Sequence, residues 1–367
     1  MNKSKVLFLL HQPPPVHGSS MVGQFIKESD IINKDLEGIY INLLASKNVK
    51  DTGKVSVAKI IGFVNIYWQL LKILVNNKPV LCYFAITATG FAFFRDVLLI
   101  VLLKMFKVKR VYHMHNKGVN KYNGSLIYSV LYRFIFKNAE VILLSKLLYV
   151  DIEKYVKKSN LHICANGIPE IEMIKDKVSN KKTKLLFLSN LIESKGVYKL
   201  LEACKVLKQS NINFECNFIG GESDITKHAL VKRIKEYRLQ ENVHYLGKKY
   251  GAEKHKYFNE ADIFVFPTFY SNECFPLVLI EALQYSIPVI STFEGGIPDL
   301  IEEGVTGFLI PQKDVNSLVE KLKVLIDNPV LRIQMGIAGQ KKYQKEFTLR
   351  KFEENLASIL NQIIVKN

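Results

Sequence analysis

Short apolar runs alternate with longer helical patterns along the whole chain, and this alternation constrains the fold most. Helical stretches such as Ile60–Val75 and Phe91–Phe106 lie between the runs. Strand–helix alternation predicts parallel sheets with helices on both faces. The predicted strands are Lys5–Leu10, Val80–Ile86, Arg110–Met114, Val141–Leu144, His162–Cys164, Lys184–Ser189, Phe214–Ile219, His244–Leu246, Ile263–Phe266, Pro288–Ser291 and Gly307–Ile310.

The 367 residues suffice for two such domains. A polar, lysine-rich segment without periodicity, Ile171–Thr183, separates the halves, and Lys184 opens a fresh strand. We therefore predict an α/β protein with two doubly wound, Rossmann-like domains, residues 1–172 and 173–349, facing a central cleft. Ligands of such sheets bind at the carboxyl ends of the strands.

The composition excludes several classes of protein. Hydrophobic residues make up 48% of the chain, which is typical of a globular protein. The five cysteines are scattered and form no C-x-x-C pair, which argues against a disulfide scaffold and a zinc ribbon. The longest apolar stretch, Val97–Leu103, is too short for a bilayer, which needs about 20 residues. We expect a cytoplasmic protein without a transmembrane helix.

A net charge of +17 indicates an anionic partner. The segment from Lys104 to Lys158 contains twelve Lys and Arg residues and three acidic ones, with aromatic residues interleaved. This pattern suits an anionic membrane surface, so we expect peripheral association with the inner face of the plasma membrane. No nucleic-acid motif is present. The alternative is a solvated basic face.

Two features of the first half indicate a ligand site. The loop after the first strand carries Gly18, whose backbone can present N–H groups to an anion. His115 falls at a strand end, where it can donate a hydrogen bond to a sugar hydroxyl or transfer a proton. The alternatives are a rigid proline turn with a serine cap, and a histidine that caps the core.

Two turns of the second half carry related features. Lys195 lies where a strand turns into a helix, and it could neutralise a phosphate. Gly220 and Gly221 end another strand and permit close approach of a ligand. Each has a simpler interpretation, as a solvated lysine and as an ordinary turn.

The strongest local signal is the segment Phe266–Ala282. A helix is predicted to start at Pro276, so that the N–H groups of Leu277 and Val278 lie in its first turn. Glu273 precedes the helix and Glu281 lies within it. Free N–H groups beside carboxylates suit a phosphorylated, hydroxyl-rich ligand. Alternatively, the first glutamate only caps the helix and the second is solvated.

Taken in order, these motifs resemble the retaining glycosyltransferases of family four, which have the GT-B fold. The resemblance covers nearly the whole chain. Two glutamates separated by seven residues match the family's paired-glutamate motif. The segments that carry the resemblance are PPPVHGSS, HMHN, SNLIESKG, NECFPLVLIEA and FEGGIPDLIEEGVTGFLI.

The resemblance implies a role for each residue. Glu281 would hold the ribose hydroxyls of a nucleotide-sugar donor, and Glu273 would face the donor sugar. Lys195 would neutralise the diphosphate, assisted by the amide of Gly18, and His115 would contact the donor sugar. Such enzymes need no metal, in agreement with the lack of a D-x-D motif here. No cofactor is implied, since the nucleotide sugar is a substrate.

The chain departs from the family pattern at two places. Asn190 stands where the family often has arginine, which leaves open whether another cation replaces that charge. Pro276 replaces a glycine and lacks an N–H group. The family also has a C-terminal helix that crosses back to the first domain. We expect this helix at about residues 350–367, within the amphipathic stretch Phe347–Val365.

The resemblance implies a metal-independent, retaining glycosyltransferase of the hexosyltransferase type. It would transfer a sugar from a nucleotide sugar, bound by the second domain, to a glycan or lipid-linked acceptor, bound by the first. The expected setting is bacterial cell-surface polysaccharide synthesis, as O-antigen, capsule or exopolysaccharide. The alternatives are a nucleotide-sugar epimerase of GT-B fold and a non-enzymatic basic binding protein.

Overall fold

The structure, a computed structural model, describes residues 3–44, 57–171 and 182–366. The chain divides into two compact units, which we describe one at a time. The first comprises Met1–Gly167 and Leu349–Asn367, and the second comprises Ile168–Thr348. Most of the predicted linker Ile171–Thr183, including the predicted boundary at residues 172 and 173, lies outside the described residues.

The first unit contains a six-stranded parallel sheet of order β2-β1-β3-β4-β5-β6. Its strands are β1 (Ser4–Leu10), β2 (Leu36–Asn42), β3 (Leu81–Phe84), β4 (Lys109–Met114), β5 (Glu140–Leu143) and β6 (Leu161–Ile163). Its helices are α1 (Gly18–Glu28), α2 (Asp30–Asp35), α3 (Val57–Asn76), α4 (Gly90–Met105), α5 (Leu126–Phe136) and, at the C-terminus, α13 (Leu349–Val365).

The second unit contains another six-stranded parallel sheet, of order β12-β11-β10-β7-β8-β9. Its strands are β7 (Thr183–Leu188), β8 (Phe214–Ile219), β9 (Val243–Tyr245), β10 (Ile263–Val265), β11 (Val289–Thr292) and β12 (Gly307–Ile310). Its helices are α6 (Val197–Gln209), α7 (Lys227–Glu236), α8 (Gly251–Glu260), α9 (Leu277–Gln284), α10 (Ile297–Leu300), α11 (Val315–Asp327) and α12 (Pro329–Glu346).

The predicted strands are confirmed, with ends that differ by at most two residues. Central strands of a parallel sheet are buried on both faces and therefore appear as continuous apolar runs. In β1, the side chains from Val6 to Leu10 are fully buried. The sequence pattern did not predict β2. This edge strand buries only Leu36 and Ile41, and Glu37 and Gly38 interrupt its apolar pattern.

Each sheet reverses its strand order at one point. In the first unit the reversal lies between β1 and β3, and in the second it lies between β7 and β10. Loops that leave the carboxyl ends of such neighbouring strands diverge and leave a crevice for a ligand. The loops that follow β7 and β10 carry Lys195 and Glu273, so the second sheet places both at one crevice.

Helix α13 packs within the first unit, where it contacts α2. The apolar face predicted for this helix is confirmed, because Phe352, Leu356, Ile359 and Ile363 are all buried. Lys109 of β4 donates a hydrogen bond of 2.9 Å to the carbonyl oxygen of Ile363, near the end of the helix.

Candidate active site

Lys195 and Glu273 form an ion pair at the crevice of the second unit. Both side chains are largely buried, with 14% and 10% of their surface exposed. The Lys195 ammonium also lies 4.5 Å from the ring centroid of Tyr270. An ammonium has three donors, so Lys195 can hold Glu273 and still donate to a bound anion.

Close backbone contacts fix the two loops against each other. Gly196 adopts a left-handed φ of +91°, and a Cβ there would lie 2.3 Å from the carbonyl oxygen of Pro267. The amide of Phe269 donates to the carbonyl oxygen of Ser194 at 2.7 Å. The glycine therefore permits the approach that brings Lys195 to Glu273.

Glu281 lies in the second turn of α9, where it forms an ion pair of 2.6 Å with Lys254 of α8. Pro276 is the N-cap residue, so the prediction that the helix starts there is wrong by one residue. The ψ of Pro276 is 120°, which is extended rather than helical. Leu277 and Val278 form the first turn as predicted, and the amides of a first turn have no acceptor within the helix.

Asn190 and Gly221 lie together beside the crevice. The amide of Gly221 donates to Oδ1 of Asn190 at 3.3 Å. Gly220 has a φ of +154°, and a Cβ there would lie 1.7 Å from the carbonyl oxygen of Ser189. The glycine pair thus allows the ends of β7 and β8 to pack closely. The neutral Asn190 accepts a hydrogen bond from this turn.

The predicted anion loop of the first unit leads into α1, which starts at Gly18. Its cap differs from the serine cap of the alternative interpretation. His17 is the N-cap residue, and its Nδ1 accepts from the amide of Ser20 at 3.3 Å. In return, the Ser20 hydroxyl accepts from the amide of His17 at 2.9 Å. Gly18 is exposed, and no described atom lies within 4 Å of its ideal Cβ position.

His115 follows β4 and belongs to a group of histidines. Its ring lies 4.2 Å from that of His113, which is buried and pairs through Nδ1 with the Tyr83 hydroxyl at 2.5 Å. Burial and the nearby His17 lower the pKa of His115 to about 4. Burial, followed by Arg95, lowers the pKa of His11 well below its usual value. His115 is thus neutral at pH 7, when its ring can either donate or accept a hydrogen bond.

No sequence pattern indicated Tyr83, Tyr270 or Lys254 as site residues. Lys254 precedes Glu281 by 27 positions, and only the packing of α8 beside α9 brings them together. Among the described residues, no group of three or more His, Cys, Asp or Glu side chains is placed to hold a metal. All five cysteines are buried thiols.

A second candidate surface lies on α4 and α5. Apolar side chains cover its outward side, and Lys104 lies 4.3 Å from the ring centroid of Phe134. The exposed apolar residues are Phe91, Phe94, Leu98, Met105, Leu126, Ile127, Val130 and Phe134. We call them the α4–α5 face. In the described ranges, no helix has the length and apolar character needed to cross a membrane.

The basic residues around this face are not equivalent. Lys121, Arg133 and Lys137 are exposed. Arg110 is 7% exposed and donates to the carbonyl oxygens of Val108 and Asn138, at 2.8 and 3.0 Å. Arg110 is one of the twelve basic residues predicted to form a basic surface, and for this residue the prediction is wrong.

The clearest similarity to a known protein family lies in the second unit. Residues 170–342 match the family model described as glycosyl transferases group 1. This segment contains the Lys195–Glu273 and Lys254–Glu281 pairs.

Several of the curated relatives are named for polysaccharide synthesis. A putative colanic acid biosynthesis glycosyltransferase of Salmonella typhimurium is 30% identical over 220 residues, covering 58% of this chain and 50% of the relative. The amylovoran biosynthesis glycosyltransferase AmsK of Erwinia amylovora is 33% identical over 184 residues, covering 49% and 45%. The chain thus spans about half the length of the curated relatives it matches.

Solved structures match over almost the whole chain. Sucrose-phosphate synthase of Thermosynechococcus elongatus has a TM-score of 0.81, with 16% identity and full coverage of both chains. HepE of Anabaena, solved in complex with UDP-glucose, has a TM-score of 0.73 and 18% identity, with coverage of 98% and 99%. The chain has the GT-B fold. The predicted α/β fold class with two doubly wound domains is therefore confirmed.

Proposed function

We propose that this chain is a glycosyltransferase of bacterial cell-surface polysaccharide synthesis. It takes a sugar from a nucleoside-diphosphate sugar and transfers it to a glycan or lipid-linked acceptor. The observation that carries the proposal is a set of two lysine-bound glutamates inside the segment that matches the family model, with Glu273 at the crevice and Glu281 in the second turn of α9. The names of the curated relatives support the pathway.

We assign donor binding to the second unit and acceptor binding to the first. A departing nucleoside diphosphate develops negative charge, which needs donors already in place. Lys195 supplies a cation, and the amides of Leu277 and Val278 supply N–H groups at the positive end of α9. Glu281 accepts hydrogen bonds from the ribose hydroxyls, and Glu273 faces the sugar.

The reaction is a metal-independent hexosyl transfer with retention of anomeric configuration. Its metal independence rests on Lys195 and the helix amides, which provide the charge stabilisation that a cation would otherwise give. Retention rests on the family resemblance. His115, neutral at pH 7, contacts the donor sugar as a hydrogen-bond partner rather than as a cation.

The chain is also a peripheral membrane protein, and the α4–α5 face is its contact with the lipid. Exposed phenylalanine and leucine side chains suit the boundary of the acyl region, while Lys121, Arg133 and Lys137 suit anionic headgroups. A lipid-linked acceptor would be encountered at that surface.

A binding screen tests the donor assignment. Isothermal titration is performed with UDP, GDP, ADP, CDP and dTDP, and with a common sugar nucleotide of each base. One base series should bind, and its sugar nucleotide should also stabilise the protein against heat. If the folded protein bound no member of the panel, the proposed function would be wrong.

A further inference from the structure

The charged groups described around the crevice of the second unit provide no excess of positive charge. Lys195 is paired with Glu273, and Lys254 is paired with Glu281. The turn after β8 adds two carboxylates, Glu222 and Asp224. A diphosphate carries at least two negative charges, so these groups alone do not compensate it.

Lys248 lies at the same strand ends. It follows β9, and its side chain passes over Gly221. A Cβ built on Gly221 would lie 2.2 Å from Cε and 3.2 Å from Nζ of Lys248. The same point would lie 3.1 Å from Oδ1 of Asn190. The absence of a side chain at position 221 therefore makes room for the Lys248 ammonium beside Asn190.

The backbone holds this lysine where it is. The amide of Gly220 donates to the carbonyl oxygen of Gly247 at 2.9 Å, immediately before Lys248. The Tyr245 hydroxyl donates to the carbonyl oxygen of Gly220 at 2.9 Å. These bonds tie the turns after β8 and β9 together, so the backbone of Lys248 is held beside Gly221.

The neighbouring carboxylates already accept hydrogen bonds from the backbone. Carboxylate oxygens of Glu222 and Asp224 accept backbone N–H groups of Lys227 and Glu193. Within the described part of the chain, Lys248 forms no ion pair, and it is exposed to solvent. It is therefore a cation that a ligand can use without first breaking an ion pair.

We propose that Lys248 binds the diphosphate of the donor and supplies the positive charge that the neutral Asn190 does not. This proposal rests on the proposed function. It extends the phosphate site from the turn after β7 to the turns after β8 and β9. Lys248 is a binding residue for the leaving group, in addition to Lys195.

The test compares Lys248→Gln with the matched control Lys249→Gln. The two positions are adjacent and both changes remove one positive charge, but Lys249 is paired with Glu253 at 2.9 Å. The probes are the nucleoside diphosphate that binds the wild type most tightly in the five-base panel, and the free nucleoside of the same base. Dissociation constants are measured by titration at low and high salt, because salt screens an exposed lysine.

Lys248→Gln should weaken binding of the diphosphate about five- to tenfold and reduce the salt dependence of that binding. It should leave the affinity for the free nucleoside unchanged. Lys248→Arg should retain most of the affinity, and Lys249→Gln should bind like the wild type. Equal affinity of Lys248→Gln and Lys249→Gln for the diphosphate would overturn the proposal while leaving the proposed function intact. A wild type that bound none of the five diphosphates would overturn both.

Discussion

Lys195 and Glu273 are 78 residues apart, yet they form an ion pair because they follow the two neighbouring strands at which the sheet of the second unit reverses. The pair unites a cation suited to a phosphate with a carboxylate suited to a sugar hydroxyl. Such a pair also fixes both rotamers before any ligand binds, which lowers the entropy lost on binding.

Removing the Lys195 charge should impair transfer far more than it affects folding. We expect Lys195→Met to lower kcat/KM by about 100-fold, the usual cost of deleting one donor to a developing negative charge. The control is Lys199→Met, since Lys199 also pairs with a glutamate, Glu202, but on the solvated side of α6. Steady-state kinetics measures both variants. Equal losses would exclude a specific role for Lys195.

Glu281 should determine donor affinity. Glu281→Ala should raise the dissociation constant of the nucleotide sugar about tenfold or more, because a hydrogen bond to a charged group is lost. Glu260→Ala is the control, since it also breaks a Lys–Glu pair, with Lys184 at the start of β7. Calorimetric titration distinguishes them, and unchanged affinity for Glu281→Ala would rule out the ribose contact.

Gly196 should be needed for its conformation and for its lack of a side chain. Gly196→Ala should reduce stability by about 2 kcal/mol or more, through left-handed strain and a clash with Pro267. In Gly304→Ala the strain is similar, with φ at +74°, but no described atom lies within 4 Å of the ideal Cβ. Denaturant unfolding should therefore show a smaller loss for Gly304→Ala. A larger loss of stability for Gly304→Ala than for Gly196→Ala would contradict the close packing of Gly196 against Pro267.

The histidines of the first unit should make stability depend on pH. Burial lowers the pKa values of His11, His17 and His115, so the folded protein keeps them neutral while the unfolded chain takes up protons below about pH 6.5. Their contribution is present above that pH and is lost as the pH falls toward 4, the approximate pKa of His115.

The melting temperature should accordingly fall by about 5 °C or more between pH 7 and pH 5. His115→Gln should show a smaller fall, whereas the exposed His228→Gln should follow the wild type. Circular dichroism at several pH values gives the comparison. A steeper pH dependence in His115→Gln would refute this assignment.

Membrane binding should depend on charge at the α4–α5 face. Replacing Lys121, Arg133 and Lys137 together with Gln should reduce binding to anionic liposomes about 100-fold, since each of the three basic residues contributes about 1 kcal/mol near the surface. High salt should have a similar effect on the wild type. Co-sedimentation with neutral and anionic vesicles measures both effects.

The control for this variant removes the same charge from the second unit. It carries Gln at Lys232, Lys256 and Lys345, all of which are strongly exposed. If it lost as much binding as the first variant, or if neutral vesicles bound equally well, the assignment of the α4–α5 face would be wrong.

The sequence predicted the buried strands well because parallel strands covered on both faces leave a continuous apolar run. It missed β2, an edge strand whose pattern Gly38 interrupts. It identified Lys195 and Glu273 one by one, but only the strand order brings them together. It could not find Lys254, whose ion pair with Glu281 depends on helix packing, and it treated the buried Arg110 as surface charge.

Sugar transfer with radiolabelled donors tests the central claim most directly. UDP-glucose, UDP-galactose, UDP-N-acetylglucosamine and GDP-mannose, each labelled in the sugar, are incubated in EDTA with lipid-linked glycans extracted from bacterial membranes. One donor should label the glycan fraction, the new linkage should retain the donor's anomeric configuration, and Lys195→Met should largely abolish labelling. An unlabelled glycan fraction with every donor, while a donor is converted to an epimer or to free sugar, would contradict the central claim.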